Sequence, residues 1–215
     1  PLTTGYIVGH GGAALLWLAS ALLPVPIRFG VWTLALLIDL GTPWLAIPHH
    51  VKAPPHAAHL PERFGLFTLI LLGEAVVAVM HGMESQEEWP LAAAGSAFLG
   101  MGLLFLIWWW YFEGADATAE QHVRSPRDAV RLHLWSYLHY PLYLGIVITG
   151  VGLQRAVTSA ARFALSGSDA IILSAAAAVI MVALVAIGAT SARRRPVPAA
   201  LLTLIGYSVN DTIVI

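Results

Sequence analysis

Apolar residues recur along the chain in long runs, interrupted by short segments of proline, glycine, charge and histidine. Each run is long enough to cross a bilayer core of about 30 Å as an α-helix. The pattern predicts an all-α, polytopic transmembrane helix bundle, and we expect residues 1–215 to form a single transmembrane domain. About seven spans are expected, at 5–23, 28–47, 64–80, 90–111, 132–153, 169–190 and 197–215.

The connection 48–63 differs from the others because proline and histidine dominate it. Its prolines disfavour a regular helix, so we expect a loop over the whole segment. No helical run carries histidine pairs spaced i, i+3 or i, i+4, and the prolines disrupt the element that would orient ligands. We therefore predict neither a metal site nor a cofactor, although the loop contains His49, His50, His56 and His59.

Composition agrees with a membrane location. Hydrophobic residues make up 58% of the chain and charged residues only 11%, against about 25% charged in an ordinary globular domain. The formal net charge is −1, without a long basic run, so nucleic-acid binding is not predicted. The absence of cysteine excludes disulfides, thiol catalysis and thiolate metal ligands.

The distribution of Lys and Arg over the connections predicts the orientation. Eight of the eleven lie on the side that contains the N-terminus and the loop 48–63, and three lie on the other side. By the positive-inside rule the first side is cytoplasmic. Trp44, the run 108–111 and Trp135 then fall near the cytoplasmic ends of their spans, where we expect the rings to lie among the lipid headgroups.

Four acidic or imidazole side chains lie well inside the predicted spans and at a similar depth: His10, Asp39, Glu74 and His139. A charge at mid-membrane costs at least about 2.5–3.5 kcal/mol, so each of them needs a partner, water or neutralisation. At a rise of 1.5 Å per residue they lie roughly 9–16 Å from the cytoplasmic edge, in one layer of the bundle. Such a layer suits a proton relay or ion-coupled transport, and the alternative is hydrogen bonding that only holds helices together.

Three further residues extend this layer. His81 follows Glu74 by seven positions, on the same helical face, as a candidate proton relay or a solvated helix end. Pro141 removes a backbone hydrogen bond beside His139, which predicts a kink in the helix. The kink is either a hinge or a fixed bend. Asp211, in the last span, is a candidate lining residue of the same cavity.

Small residues form two stripes at helical spacing, which favour close contact between helices rather than a functional site. They are Ala92, Ser96 and Gly100 in the fourth span, and Gly145, Thr149 and Gly152 in the fifth.

One stretch is more specific, His59-Leu60-Pro61-Glu62-Arg63-Phe64-Gly65-Leu66-Phe67, continuing to Leu72-Gly73-Glu74. It resembles the signature of the bacterial low temperature requirement A (LtrA) family. The blocks 109–112 and 137–142 resemble two later motifs of that family, in the same order. The chain departs from the family by lacking its early Phe-Phe-Asp-Leu-Val-Phe type motif, and we expect both ends to be cut from a longer protein.

The resemblance implies a multi-pass protein of the bacterial cytoplasmic membrane and singles out Glu62, Arg63, Glu74 and His139. It supplies no established reaction. Our hypothesis is a proton- or cation-coupled transporter or channel subunit, with Glu74 as the coupling acid and His139 and Asp39 as its partners. Glu62 and Arg63 are expected to form a cytoplasmic gate pair. Because adjacent helical residues point about 100° apart, we expect Arg63 to pair with Glu113, Asp116 or Asp128.

The alternative is a non-transporting scaffold or a stress-related sensor. An enzyme is not predicted, because neither a nucleophile nor a metal cluster is identified. The expected partners are the lipid bilayer and protons or small cations, and oligomerisation is left open.

Overall fold

The computed structural model describes residues 2–45, 47, 54–86, 89–115, 121–160 and 165–191. The secondary structure in these ranges is helical, as the hydrophobic pattern predicts. Its elements are α1 (Leu2–Ser20), α2 (Val25–Leu45), α3 (His59–Glu84), α4 (Leu91–Trp109), a π-helical turn (Trp110–Gly114), α5 (Pro126–Ser159) and α6 (Gly167–Thr190).

Five of the described helices are long and apolar enough to cross a membrane: α2, α3, α4 with its π turn as far as Glu113, α5 and α6. Helix α1 is not among them, since four glycines, two threonines and His10 dilute its apolar residues. The seventh predicted span, 197–215, lies outside the described residues. Seven spans are therefore more than the described part of the chain supports.

Two helices begin five or more residues earlier than predicted, for local reasons. Helix α3 starts at His59 rather than 64, because Pro61 lies in the first turn, where its missing N–H would have no helical partner anyway. Helix α5 starts at Pro126, since the Asp128 backbone N–H donates to Ser125 Oγ and the Asp128 carboxylate accepts from the Ser125 hydroxyl and the Arg124 N–H. The expectation of a loop throughout 48–63 is thus wrong for its last five residues.

The chain divides into two compact units. The first contains Pro1–Ala57 and His122–Leu134, and its main feature is the hairpin of α1 and α2. Arg28 caps the C-terminus of α1 by donating to the backbone carbonyls of Ser20, Ala21 and Leu23. The indole of Trp32 donates to Ser20 Oγ at 2.8 Å, which adds a side-chain link between the two helices.

The second unit contains Ala58–Gln121 and Trp135–Ile215. The buried positions of α3 recur every three or four residues and form one stripe, which includes Gly65, Thr68, Leu72, Ala75 and Val79. The predicted small-residue stripe of α5 lies at a helix contact. A Cβ on Gly145 would meet Ile180 Cγ1 at 2.6 Å, and one on Gly152 would meet Leu173 Cδ1 at 2.9 Å.

The aromatic residues assigned to the headgroup layer divide into two groups. Trp44, Trp108 and Trp109 are partly exposed, in keeping with that assignment. Trp110, Tyr111 and Trp135 are instead buried, so the expectation of headgroup contact is wrong for these three rings. The run 108–111 lies on a helix, and its members therefore point in different directions.

Candidate functional site

His139 lies at the centre of an aromatic cluster in the second unit and is fully buried. Its Nδ1 lies 2.8 Å from the carbonyl oxygen of Trp135, one turn earlier on α5. Its Nε2 lies 3.1 Å from the hydroxyl of Tyr111. Because a carbonyl can only accept, Nδ1 carries the proton, and Nε2 accepts from the Tyr111 hydroxyl. Both ring nitrogens of the neutral imidazole are therefore satisfied.

Aromatic rings surround the imidazole. Phe64 and Trp135 lie edge-on or tilted to it, with centroids 4.6 and 4.4 Å away, and Tyr143 lies at 5.7 Å. The buried Nε1 of Trp135 has no hydrogen-bond partner among the described residues. A second polar group without a partner in this part of the chain is the hydroxyl of Thr149, further along α5.

The π turn at the end of α4 brings Tyr111 to this cluster. The backbone N–H of Ala115 donates to the Trp110 carbonyl at 2.7 Å, a five-residue step that widens the helix. Sequence reasoning assigned Tyr111 to the headgroup layer and missed its role as the partner of His139. The two residues belong to the separate blocks 109–112 and 137–142. The resemblance of both blocks to motifs of one family was the sequence signal that could have linked them.

Glu74 occupies a different environment. It lies roughly 22 Å from His59 and roughly 15 Å from Glu84 along α3, near the middle of the helix. Its side chain is exposed, and so are those of Ile70 and Val77 on either side of it. No hydrogen bond or ion pair joins Glu74 to another described residue. A carboxyl group thus projects from an apolar helical surface at mid-span.

The predicted layer of four groups is not assembled within the second unit. His139 is buried, whereas Glu74 lies on the exposed surface of α3, and no hydrogen bond joins the two side chains. His81 does share the exposed surface with Glu74, as its spacing of seven residues predicts. About 10 Å of helix axis separates these two residues, so a direct hydrogen bond between them is excluded.

The other two members of the layer meet in the first unit. His10 Nδ1 and Asp39 Oδ1 lie 2.8 Å apart across the α1–α2 hairpin. The indole of Trp17 donates to the second carboxylate oxygen at 3.4 Å, and the ring of Tyr6 stacks on His10. The two side chains are 44% and 34% exposed, so the hairpin does not enclose the pair.

Glu62 and Arg63 do not form a pair with each other. Glu62 Oε2 instead lies 3.6 Å from His59 Nδ1, one turn earlier on α3, with both side chains exposed. Arg63 forms no ion pair with a described carboxylate of the second unit, so the expected pair with Glu113 is not formed. The expected pair with Asp128, which belongs to the first unit, stays a prediction. Asp128 is engaged at the start of its own helix, as described above.

For the remaining predicted site residues, the structure describes few contacts. Pro141 lies inside α5, which stays helical through it, and the hinge role stays a prediction. Asp211 lies outside the described residues, as do His49 and His50 of the histidine-rich loop and Asp116. Within the described ranges, no group of three or more His, Asp or Glu side chains is placed to hold a metal ion.

Comparison with known proteins identifies a family rather than an activity. An uncharacterized protein of Rhizobium meliloti (strain 1021), RA0937, is 28% identical over 153 residues. That alignment covers 63% of this chain but only 35% of the relative, so the chain spans about a third of the length of the protein it matches. No solved structure matches the chain. The family description "Bacterial low temperature requirement A protein (LtrA)" matches residues 1–214, and the chain therefore belongs to the LtrA family of multi-pass membrane proteins.

Proposed function

We propose that this protein is a proton- or cation-coupled transporter or channel subunit of the bacterial cytoplasmic membrane, with Glu74 as its coupling acid. The exposed carboxyl at the middle of α3 carries the proposal. A carboxylate that faces hydrocarbon costs several kcal/mol unless a proton or cation neutralises it, whereas in water it ionises freely. A group at this position therefore changes charge whenever its surroundings alternate between lipid or protein and water.

His81 is the proposed next group towards the outer surface, since it shares the exposed surface of α3 and lies close to the end of the helix. The hydrogen-bonded pair of His10 and Asp39 is a second proposed site of proton exchange. Glu62, near the start of α3, remains a candidate gate residue through His59 rather than through Arg63. We also retain the predicted cytoplasmic side for this end of α3 and seven spans for the whole chain.

The test is a substitution that keeps the shape of the side chain and removes its exchangeable proton, Glu74→Gln. In proteoliposomes with an imposed pH gradient, we expect the parent to move protons with or against a small cation and Glu74→Gln to lose this flux. The matched control is Glu84→Gln, which neutralises an exposed acid at the end of the same helix and should keep the flux. Unchanged flux in Glu74→Gln, or a parent without flux for every cation in the series, would refute the proposal.

The second candidate is a non-transporting scaffold or sensor, and His139 is the observation that favours it. Both nitrogens of the imidazole are satisfied inside an aromatic cluster, which is the arrangement of a residue that holds helices together. On this view Glu74 is neutral and in contact with a partner protein, and neither glutamate variant changes ion flux.

A further inference from the structure

We propose that a groove between α3 and α5 binds one anionic phospholipid, with its phosphate on Arg63 and an acyl chain along the aromatic walls. The groove has a volume of about 460 Å³. Its lining combines one cation with four aromatic rings, and consists of Arg63, Phe64, Phe67, Ser136, Tyr140 and Tyr143. This inference does not depend on the proposed transport activity, because neither Glu74 nor His139 lines the groove.

Arg63 is the charged end of the groove. Its side chain is exposed, and no described carboxylate of the second unit lies within ion-pair distance of it. It also lies in the second turn of a membrane-spanning helix, one residue before the apolar span predicted at 64–80, which is the depth of lipid headgroups. A guanidinium at this depth forms paired hydrogen bonds with the oxygens of a phosphate and favours a negatively charged ligand.

The walls of the groove suit a hydrocarbon chain. Phe67 packs edge-on against Tyr143, with ring centroids 4.8 Å apart, and the Tyr143 hydroxyl donates to the Phe64 carbonyl at 3.1 Å. These contacts hold the rings of Phe67 and Tyr143 in place. They also leave the Tyr143 hydroxyl with a hydrogen-bond partner. From Ser136 to Tyr143 the groove runs along roughly 10 Å of α5, parallel to the direction of a lipid chain.

Arg63 and the walls together distinguish a lipid from a free anion. Inorganic phosphate would use Arg63 alone and would leave the apolar surface of Phe67 and Tyr140 in contact with water. A phospholipid covers that surface and supplies the anion at the same time, so its affinity gains from both parts. An uncharged lipid would satisfy the walls and leave the guanidinium without a counter-ion.

Native mass spectrometry of the detergent-solubilised protein, titrated with phosphatidylglycerol or phosphatidylcholine of the same chains, tests the site. We expect phosphatidylglycerol to bind more tightly, and Arg63→Gln to weaken it about tenfold, as the loss of one charge-assisted contact predicts. Arg63→Lys should give an intermediate affinity, because lysine keeps the charge without the paired donors. Arg127→Gln, an exposed arginine outside the groove, is the control and should bind like the parent.

The aromatic walls have their own test. Phe67→Ala should weaken phosphatidylglycerol binding, whereas Phe98→Ala removes a similar exposed ring from α4, outside the groove, and should not. Unfolding midpoints in lipid-free detergent verify that each variant is folded. Equal binding of the two lipids, unchanged binding in Arg63→Gln, or displacement of the lipid by equimolar inorganic phosphate would each overturn the proposal.

Discussion

Tyr111 and His139 show most directly how single residues stabilise the second unit. The Tyr111 hydroxyl is the donor to Nε2 of a fully buried imidazole. Tyr111→Phe removes this donor but keeps the ring, so the imidazole nitrogen is left without a partner. We expect a loss of about 1–3 kcal/mol in the free energy of unfolding, measured by thermal or denaturant unfolding in detergent.

Tyr140→Phe is the matched control, since that tyrosine is 59% exposed and the change again removes only a hydroxyl. Its free energy of unfolding should lie within about 0.5 kcal/mol of that of the parent, as is usual for surface substitutions. Equal losses in the two variants would show that the bond between Tyr111 and His139 contributes nothing specific.

Arg63 and Glu62 provide a second comparison at the level of single residues. Neither side chain is buried, and their one described ion pair, between Glu62 and His59, is exposed. Exposed pairs contribute about 0–1 kcal/mol, so Glu62→Ala and Arg63→Ala should both leave the unfolding midpoint in lipid-free detergent nearly unchanged. A large loss in Arg63→Ala alone would indicate a carboxylate partner outside the described part of the second unit.

At the level of elements, α5 and α6 approach closely because α5 has glycine where the two helices meet. A Cβ on Gly145 would meet Ile180 Cγ1 at 2.6 Å and the Ala176 carbonyl oxygen at 3.3 Å. Backbone atoms cannot yield as a flexible side chain can, so Gly145→Ala must move the helices apart or distort Ile180. We expect a destabilisation of about 1–3 kcal/mol, the usual cost of overpacking, measured by unfolding in detergent.

Gly102→Ala on α4 is the control for this prediction, because nothing lies within 4 Å of a Cβ built there. Alanine is the better helix former, so this variant should be as stable as the parent or slightly more stable. If Gly145→Ala were equally harmless, the close contact between α5 and α6 would not limit their packing.

For the whole molecule, the orientation in the membrane is the prediction on which the proposed direction of ion movement depends. His56 and Glu84 lie beyond opposite ends of the hydrophobic part of α3, and both side chains are exposed. The 215-residue sequence contains no cysteine, so single cysteines at these positions have no thiol background from it. In whole cells, an impermeant thiol reagent should label Glu84→Cys and not His56→Cys, as the positive-inside rule requires. Labelling of His56→Cys from outside would show that the orientation is the opposite of the predicted one.

Hydrophobic runs and the positions of polar residues determined much of this protein without a structure. Apolar runs predicted helices because a bilayer offers no partners for an unpaired backbone, so length and composition suffice. The spacing of seven residues between Glu74 and His81 correctly placed them on one surface of α3. The boundary errors at His59 and Pro126 arose from capping and a first-turn proline, which are local effects that a hydropathy pattern does not register.

Tertiary structure alone decided which polar residues meet. The predicted layer treated depth in the membrane as proximity, but depth fixes one coordinate and leaves the rotation of each helix open. Rotation depends on side-chain packing: the α3 stripe of Gly65, Leu72 and Ala75 is buried, and Glu74 therefore faces outward. The π turn rotated Tyr111 inward to His139, and the α1–α2 hairpin paired His10 with Asp39. These choices follow from contacts between residues distant in sequence, which no local pattern contains.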